Sequence, residues 1–95
     1  MAKAVYNGVI LAESDNVEIV EGNVYFPPES VNMDYFNETT LHTTCPWKGE
    51  ASYYTVIVGD NKLDSAAWYY PEPKQAANNI LNHVAFYTHK VQVER

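Results

Sequence analysis

A chain of 95 residues with a single cysteine, Cys45, has to hold its fold together without a staple. One cysteine closes no internal disulfide, and no Cys-x-x-Cys pair is present to build a structural zinc site. A domain this small buries only about 60–65% of the surface that its unfolded chain exposes. Stability therefore rests on a dense hydrophobic core. Eight Tyr, two Trp and three Phe supply it. Each ring can bury on the order of 150–250 Å². The length fits one domain, residues 1–95.

Turn residues cut the chain into short β-rich runs. Ala4 to Ala12 reads either as a strand bulged at Gly8 or as two strands about an Asn7-Gly8 tight turn. Val17–Val20 and Asn23–Phe26 flank Glu21-Gly22, which is a hairpin signal. Pro27-Pro28 ends the second of these strands, because proline donates nothing to a ladder. Within Glu29–Thr40, Ser30 is a candidate cap for a short helical turn. Leu41 to Gly49 reads as a loop. Ser52–Val58 is the strongest strand signal, with two Tyr, one Thr and three β-branched aliphatics. After a turn at Gly59-Asp60-Asn61, Ser65–Tyr70 is another strand, closed by Pro71 and Pro73. Lys74–Asn82 is predicted as a helix, with Ala77, Ile80, Leu81 and Val84 at helical spacing. Val84–Tyr87 and Val91–Val93 close the chain as strands. The predicted class is mainly β, a β-dominated α+β fold with one short covering helix and no structural zinc.

Strand alternation groups the rings. Val24 and Phe26 share one face of their strand, and Asn23 and Tyr25 share the other. Tyr53 and Tyr54 point to opposite faces, while Trp68 and Tyr70 point the same way. Tyr25, one of the Tyr53/Tyr54 pair, Trp68 and Tyr70 are therefore expected around one concavity, as hydrogen-bonding edges on apolar walls. The alternative is a tyrosine-heavy core with hydroxyls at its rim.

The segment Thr43-Thr44-Cys45-Pro46-Trp47-Lys48-Gly49 sets a thiol, a rigid proline, an indole and a cation side by side. Lys48 turned toward the sulfur would favour a thiolate nucleophile. Otherwise Cys45 is a small hydrophobe and Trp47 a plug in a packed loop. Glu21, if its turn faces this segment, would pair Lys48 or serve as a base. His42 is a possible partner for Cys45 in a dyad, and His42, His83 and His89 are arithmetically available for a Cys–His metal site. Nothing in their spacing supports one.

Twelve acidic against six basic residues give a net charge of −6. No basic cluster exists for a phosphate backbone or an anionic bilayer, so neither nucleic acid nor membrane is expected as a partner. No stretch approaches the roughly 20 apolar residues of a membrane span, and no signal peptide is evident. The compartment expected is the cytoplasm, which makes the Asn37-Glu38-Thr39 sequon a chance match. No P-loop, G-x-G-x-x-G or G-x-S-x-G motif is present. No cofactor is called for.

Four blocks carry a resemblance: Val20 to Pro27, Thr44 to Gly49 with Tyr53-Tyr54 behind it, Ala67-Trp68-Tyr69-Tyr70-Pro71, and Val84-Ala85-Phe86-Tyr87. Together they resemble the bacterial family called domain of unknown function 427 over nearly the whole chain. The resemblance implies two antiparallel sheets in a β-tent-like arrangement, similar to methionine-R-sulfoxide reductases and the thalidomide-binding domain of cereblon. Relatives of that architecture often carry a four-cysteine zinc site, which one cysteine cannot supply. The family is sometimes labelled nucleotidyltransferase-like, but this chain has neither a Gly-Ser dipeptide nor an Asp-x-Asp pair. The positions implied by motif are Glu21, Tyr25, Cys45, Trp47, Lys48, Tyr53, Trp68 and Tyr70.

Three functions follow as expectations. The first is a module, monomer or homodimer, that binds a small polar molecule, with Tyr25, Trp47, Tyr53, Trp68 and Tyr70 as walls. The second is an enzyme in which Cys45 is nucleophile or redox centre, assisted by Lys48 and Glu21. The third is a protein–protein interaction domain anchored by exposed rings.

Overall fold

A computed structural model describes all residues, 1–95. More than half the chain is strand, as its β-branched and aromatic runs require. In chain order the strands are β1 (Ala2–Tyr6), β2 (Val9–Ser14), β3 (Glu18–Val20), β4 (Asn23–Tyr25), β5 (Phe36–Cys45), β6 (Gly49–Val58), β7 (Asn61–Tyr69), β8 (Val84–Phe86) and β9 (Gln92–Glu94). All ladders are antiparallel. They form a sheet in the order β2-β1-β9, a ribbon β3-β4, and a sheet in the order β5-β6-β7-β8. The ribbon is tied to the larger sheet by one bridge, in which Phe26 and Val84 exchange two hydrogen bonds of 2.8 Å.

The β1–β2 segment is a hairpin about Asn7-Gly8, so the turn reading holds and the single bulged strand does not. A bulge does occur, between Ala4 and Val5. The Glu21-Gly22 hairpin forms as expected, and both residues have positive φ, +54° and +79°.

Three expectations are corrected. Leu41–Gly49 is not a loop, because β5 runs through Cys45 and only Pro46-Trp47-Lys48 turns before β6 begins. β5 is an edge strand with mostly exposed side chains, so its polar threonines look like a loop although their branched shape suits a pleat. The helix at Lys74–Asn82 is a 3₁₀ segment, Gln75–Ile80, kinked at Ala77. It buries Ala77 and Ile80 and leaves Leu81 exposed, and a three-residue spacing suits 3₁₀ geometry as well as it suits α. Ser30 caps no helix, since its hydroxyl donates to the Pro27 carbonyl and the next 3₁₀ turn, Met33–Tyr35, is capped by Asn32.

The larger sheet is covered on both faces. Register places Tyr54, Ala67 and Phe86 in one cross-strand row and Tyr53, Trp68 and Ala85 in the next. The first row joins the main core, which also takes Val24, Phe26, Phe36 and Val56 from around the sheet and Ala4, Leu11 and Ala12 from the β1–β2 hairpin. The second row joins a smaller cluster with Tyr25, Tyr70, Ala77 and Ile80. No helix is long and apolar enough to cross a membrane.

Candidate functional site

The smaller cluster is built by residues that alternate with the core. Tyr53 on β6 pairs with Trp68 on β7, which pairs with Ala85 on β8. Tyr70 follows two residues after Trp68 and Tyr87 two after Ala85, so both lie on the same side. Beside these rings is a cavity of about 380 Å³ walled by Tyr53, Trp68, Tyr70 and Tyr87, with Phe86 of the main core reaching its edge. Lys48, Asn23, Thr88 and His89 complete its lining.

Tyr25 lies behind the wall rather than on it. It is wholly buried, meets the Trp68 ring edge-on at 6.3 Å, and accepts a hydrogen bond of 3.1 Å from Trp68 Nε1. This contact fixes the indole that faces the cavity. The rings of Trp68 and Tyr87 are 4.7 Å apart, and the Tyr53 hydroxyl is 2.8 Å from Thr43 Oγ1 on the edge strand.

Two turns close over the cluster. Lys48, at the end of the β5–β6 turn, is buried and forms an ion pair with Glu21 of the β3–β4 turn. Trp47 Nε1 also donates to Glu21, at 3.4 Å. The Lys48 ammonium lies 5.5 Å from the centre of the Tyr70 ring and 5.4 Å from that of Trp47. Trp47 itself is 40% exposed and stands outside the cavity, against the ion pair. Glu21 occupies a left-handed turn position that favours Asn, Asp or Gly, so the fold tolerates local strain where this carboxylate is presented.

The β5–β6 turn is anchored from below. The Lys48 carbonyl accepts from the Lys74 amide at 2.8 Å, and Lys74 Nζ donates to the Pro46 carbonyl at 2.6 Å. Gly49 has φ +113°, and a Cβ there would stand 3.2 Å from the Glu72 carbonyl oxygen. Only glycine lets the two segments approach this closely.

The electrostatics hold Glu21 and Lys48 as an ion pair near neutrality. The hydrogen bond from Lys48, reinforced by that from Trp47, holds the Glu21 carboxyl below its usual 4.5. Burial pushes the Lys48 ammonium down, but its bond to Glu21 and nearby Tyr25, Tyr70 and Cys45 outweigh this and leave it above 10.5. Burial also raises the phenols of Tyr25 and Tyr70. Burial and the hydrogen bond with Tyr53 push Tyr87 up to about 12. Near neutrality the phenols of Tyr25, Tyr70 and Tyr87 are therefore neutral and the Lys48 ammonium is charged.

Of the residues singled out from the sequence, Tyr53, Trp68, Tyr70 and Lys48 line the cavity, with Tyr25 as backing and Glu21 and Trp47 at the clasp. Cys45 is half-buried against the ring cluster. His42, three residues along the same strand, therefore projects from the opposite face and contacts Ser52 Oγ at 3.1 Å, so the two form no dyad. The Cys–His metal grouping does not assemble, since no three His, Cys, Asp or Glu side chains gather. Asn23, Phe86, Tyr87, Thr88 and His89 were not foreseen as lining. The one available signal was Tyr87, which ends a strand-like run at the same parity as Ala85.

Residues 1–95, the whole chain, match the family model described as domain of unknown function (DUF427). No curated protein matches the sequence.

Proposed function

The chain belongs to this family of unknown function, and from that premise and the site's geometry we propose that it binds a small polar molecule in the aromatic cavity. The observation that carries this reading is the convergence of four rings from β6, β7, β8 and their ends, with the Lys48 ammonium, on one hollow of about 380 Å³. That volume lies within the range of small-ligand pockets, roughly 300–1,000 Å³. Trp68 is held by Tyr25 and Lys48 by Glu21, so the walls are set before a ligand arrives, which lowers the entropic cost of binding. Neutral phenols donate and accept hydrogen bonds, and the ring faces take a planar ligand.

Binding is favoured over catalysis by Cys45 because the groups that would activate the thiol are already engaged. Lys48 and Glu21 neutralise each other, and His42 points away.

The test is a melting-temperature screen against small polar metabolites. A ligand that binds only the native state, at a hundred times its Kd, should raise the Tm of a domain this size by about 10 °C. Trp68→Ala should abolish the rise. A screen that leaves both the Tm and the amide resonances of Tyr53, Trp68, Tyr70 and Tyr87 unmoved overturns the reading.

A further inference from the structure

Lys48 carries its charge where lysine seldom does. Its side chain is only 8% exposed, yet it lines the aromatic cavity. Lysine is almost never buried this far without a partner, because removing an ammonium from water is costly. Glu21 is that partner, and it meets only part of the demand. An ammonium has three donors and no acceptor. One N–H goes to Glu21. The Tyr70 phenol is close enough to feel the charge and can take a second. The rings of Trp47 and Tyr70, centred 5.4 and 5.5 Å from the nitrogen, attract the charge but supply no oxygen lone pair. At least one donor is left for whatever occupies the hollow.

The charge at this end is already balanced. Glu21 is half exposed, and its second oxygen accepts from Trp47. A ligand carboxylate drawn to Lys48 would stand beside Glu21 and be repelled by it. A ligand cation would stand beside the ammonium, at a Tyr70 ring that Lys48 already uses. A carbonyl oxygen meets neither penalty. It brings the lone pairs that an ammonium lacks and adds no charge.

We propose that Lys48 is the specificity-determining residue of the hollow, donating its spare N–H to an uncharged carbonyl oxygen of a ligand whose planar part lies among Trp68, Tyr70 and Tyr87. The proposal rests on the reading of the hollow as a ligand site and adds to it a ligand class and the group that selects it.

Benzamide, acetophenone, benzoate and benzylammonium share one ring and differ in the group it carries. Each is titrated into the full chain at neutral pH and followed by amide resonances. The two carbonyl compounds should bind about tenfold more tightly than the two ions, the scale of one hydrogen bond to a charged donor. Lys48→Met should remove that advantage, with the resonances of Phe36 and Val56 in the main core unmoved as a check on the fold. Glu21→Gln should free the ammonium from its counter-charge, so that benzoate overtakes benzamide. Either ion binding the unaltered chain as tightly as the carbonyl compounds would overturn the proposal and spare the pocket. So would a carbonyl preference that survives either substitution. If none of the four moves the resonances of Trp68 or Tyr70, the pocket reading fails and the proposal falls with it.

Discussion

The two faces of the four-stranded sheet use the same strands for different ends. On one face Phe26, Phe36, Tyr54, Tyr69 and Phe86 form a chain of ring contacts between 4.4 and 5.9 Å, sealed by aliphatic side chains. On the other face Tyr25, Tyr53, Trp68, Tyr70 and Tyr87 form a looser set that leaves a cavity. Hydroxyls and an indole N–H make the difference. Phe26 and Phe86 ask nothing of their neighbours but contact, whereas Tyr25 and Trp68 must satisfy each other when buried. A polar aromatic cluster spends part of its packing freedom on directional bonds, and it leaves space that the apolar face closes.

Substitutions can break this contrast. The largest effect should come from the dry face, where Phe26→Ala removes a wholly buried ring and should cost about 3–5 kcal/mol in denaturant unfolding. Gly49→Ala should follow, at roughly 1–3 kcal/mol, because it forces a side chain into a left-handed conformation against the Glu72 carbonyl. Trp68→Phe keeps a ring but leaves the buried Tyr25 hydroxyl without its donor, at a cost of roughly 1–2 kcal/mol. If Trp68→Phe were as damaging as Phe26→Ala, the two faces would be energetically alike and the contrast would fall.

The smallest effects belong to the clasp. Lys48→Met removes the buried cation and leaves Glu21 to water, so stability should change by less than about 1 kcal/mol. Glu21→Gln strands the ammonium and should cost more than Lys48→Met, and the reverse order would show that Lys48 is solvated by another route. The pH dependence follows from the shifts. Glu21 is depressed, so its contribution is present above 4.5 and is lost as pH falls through its lower folded value. Lys48 is raised, so its contribution is present below 10.5 and is lost as pH rises through its higher folded value. Trp47 fluorescence, recorded across that window, should stay flat in the middle and change at both ends.

How far the sequence reaches depends on the range of the interaction. Alternation along a strand is local, so the opposition of Tyr53 to Tyr54 and of Tyr25 to Phe26 could be read directly, and both hold. The Glu21-Gly22 hairpin was legible because its backbone demands glycine or its like. β5 was not, because Thr39, Thr40, Thr43 and Thr44 are equally at home in an exposed loop and only pairing with β6 decides. The lining supplied by Asn23, Thr88 and His89 is less legible still. It depends on two segments distant in sequence, β4 and the end of β8, meeting across the Phe26–Val84 bridge.

The single Phe26–Val84 rung has a mechanical consequence. The rung fixes the register of the ribbon, because sliding would break both hydrogen bonds at once. At the far end the turn is tied as well, Glu21 to Lys48 and the Gly22 carbonyl to Arg95. The stretch from Glu21 to Phe26 is therefore a span pinned at both ends rather than a lever, and loosening either fastening would be felt at Asn23 between them.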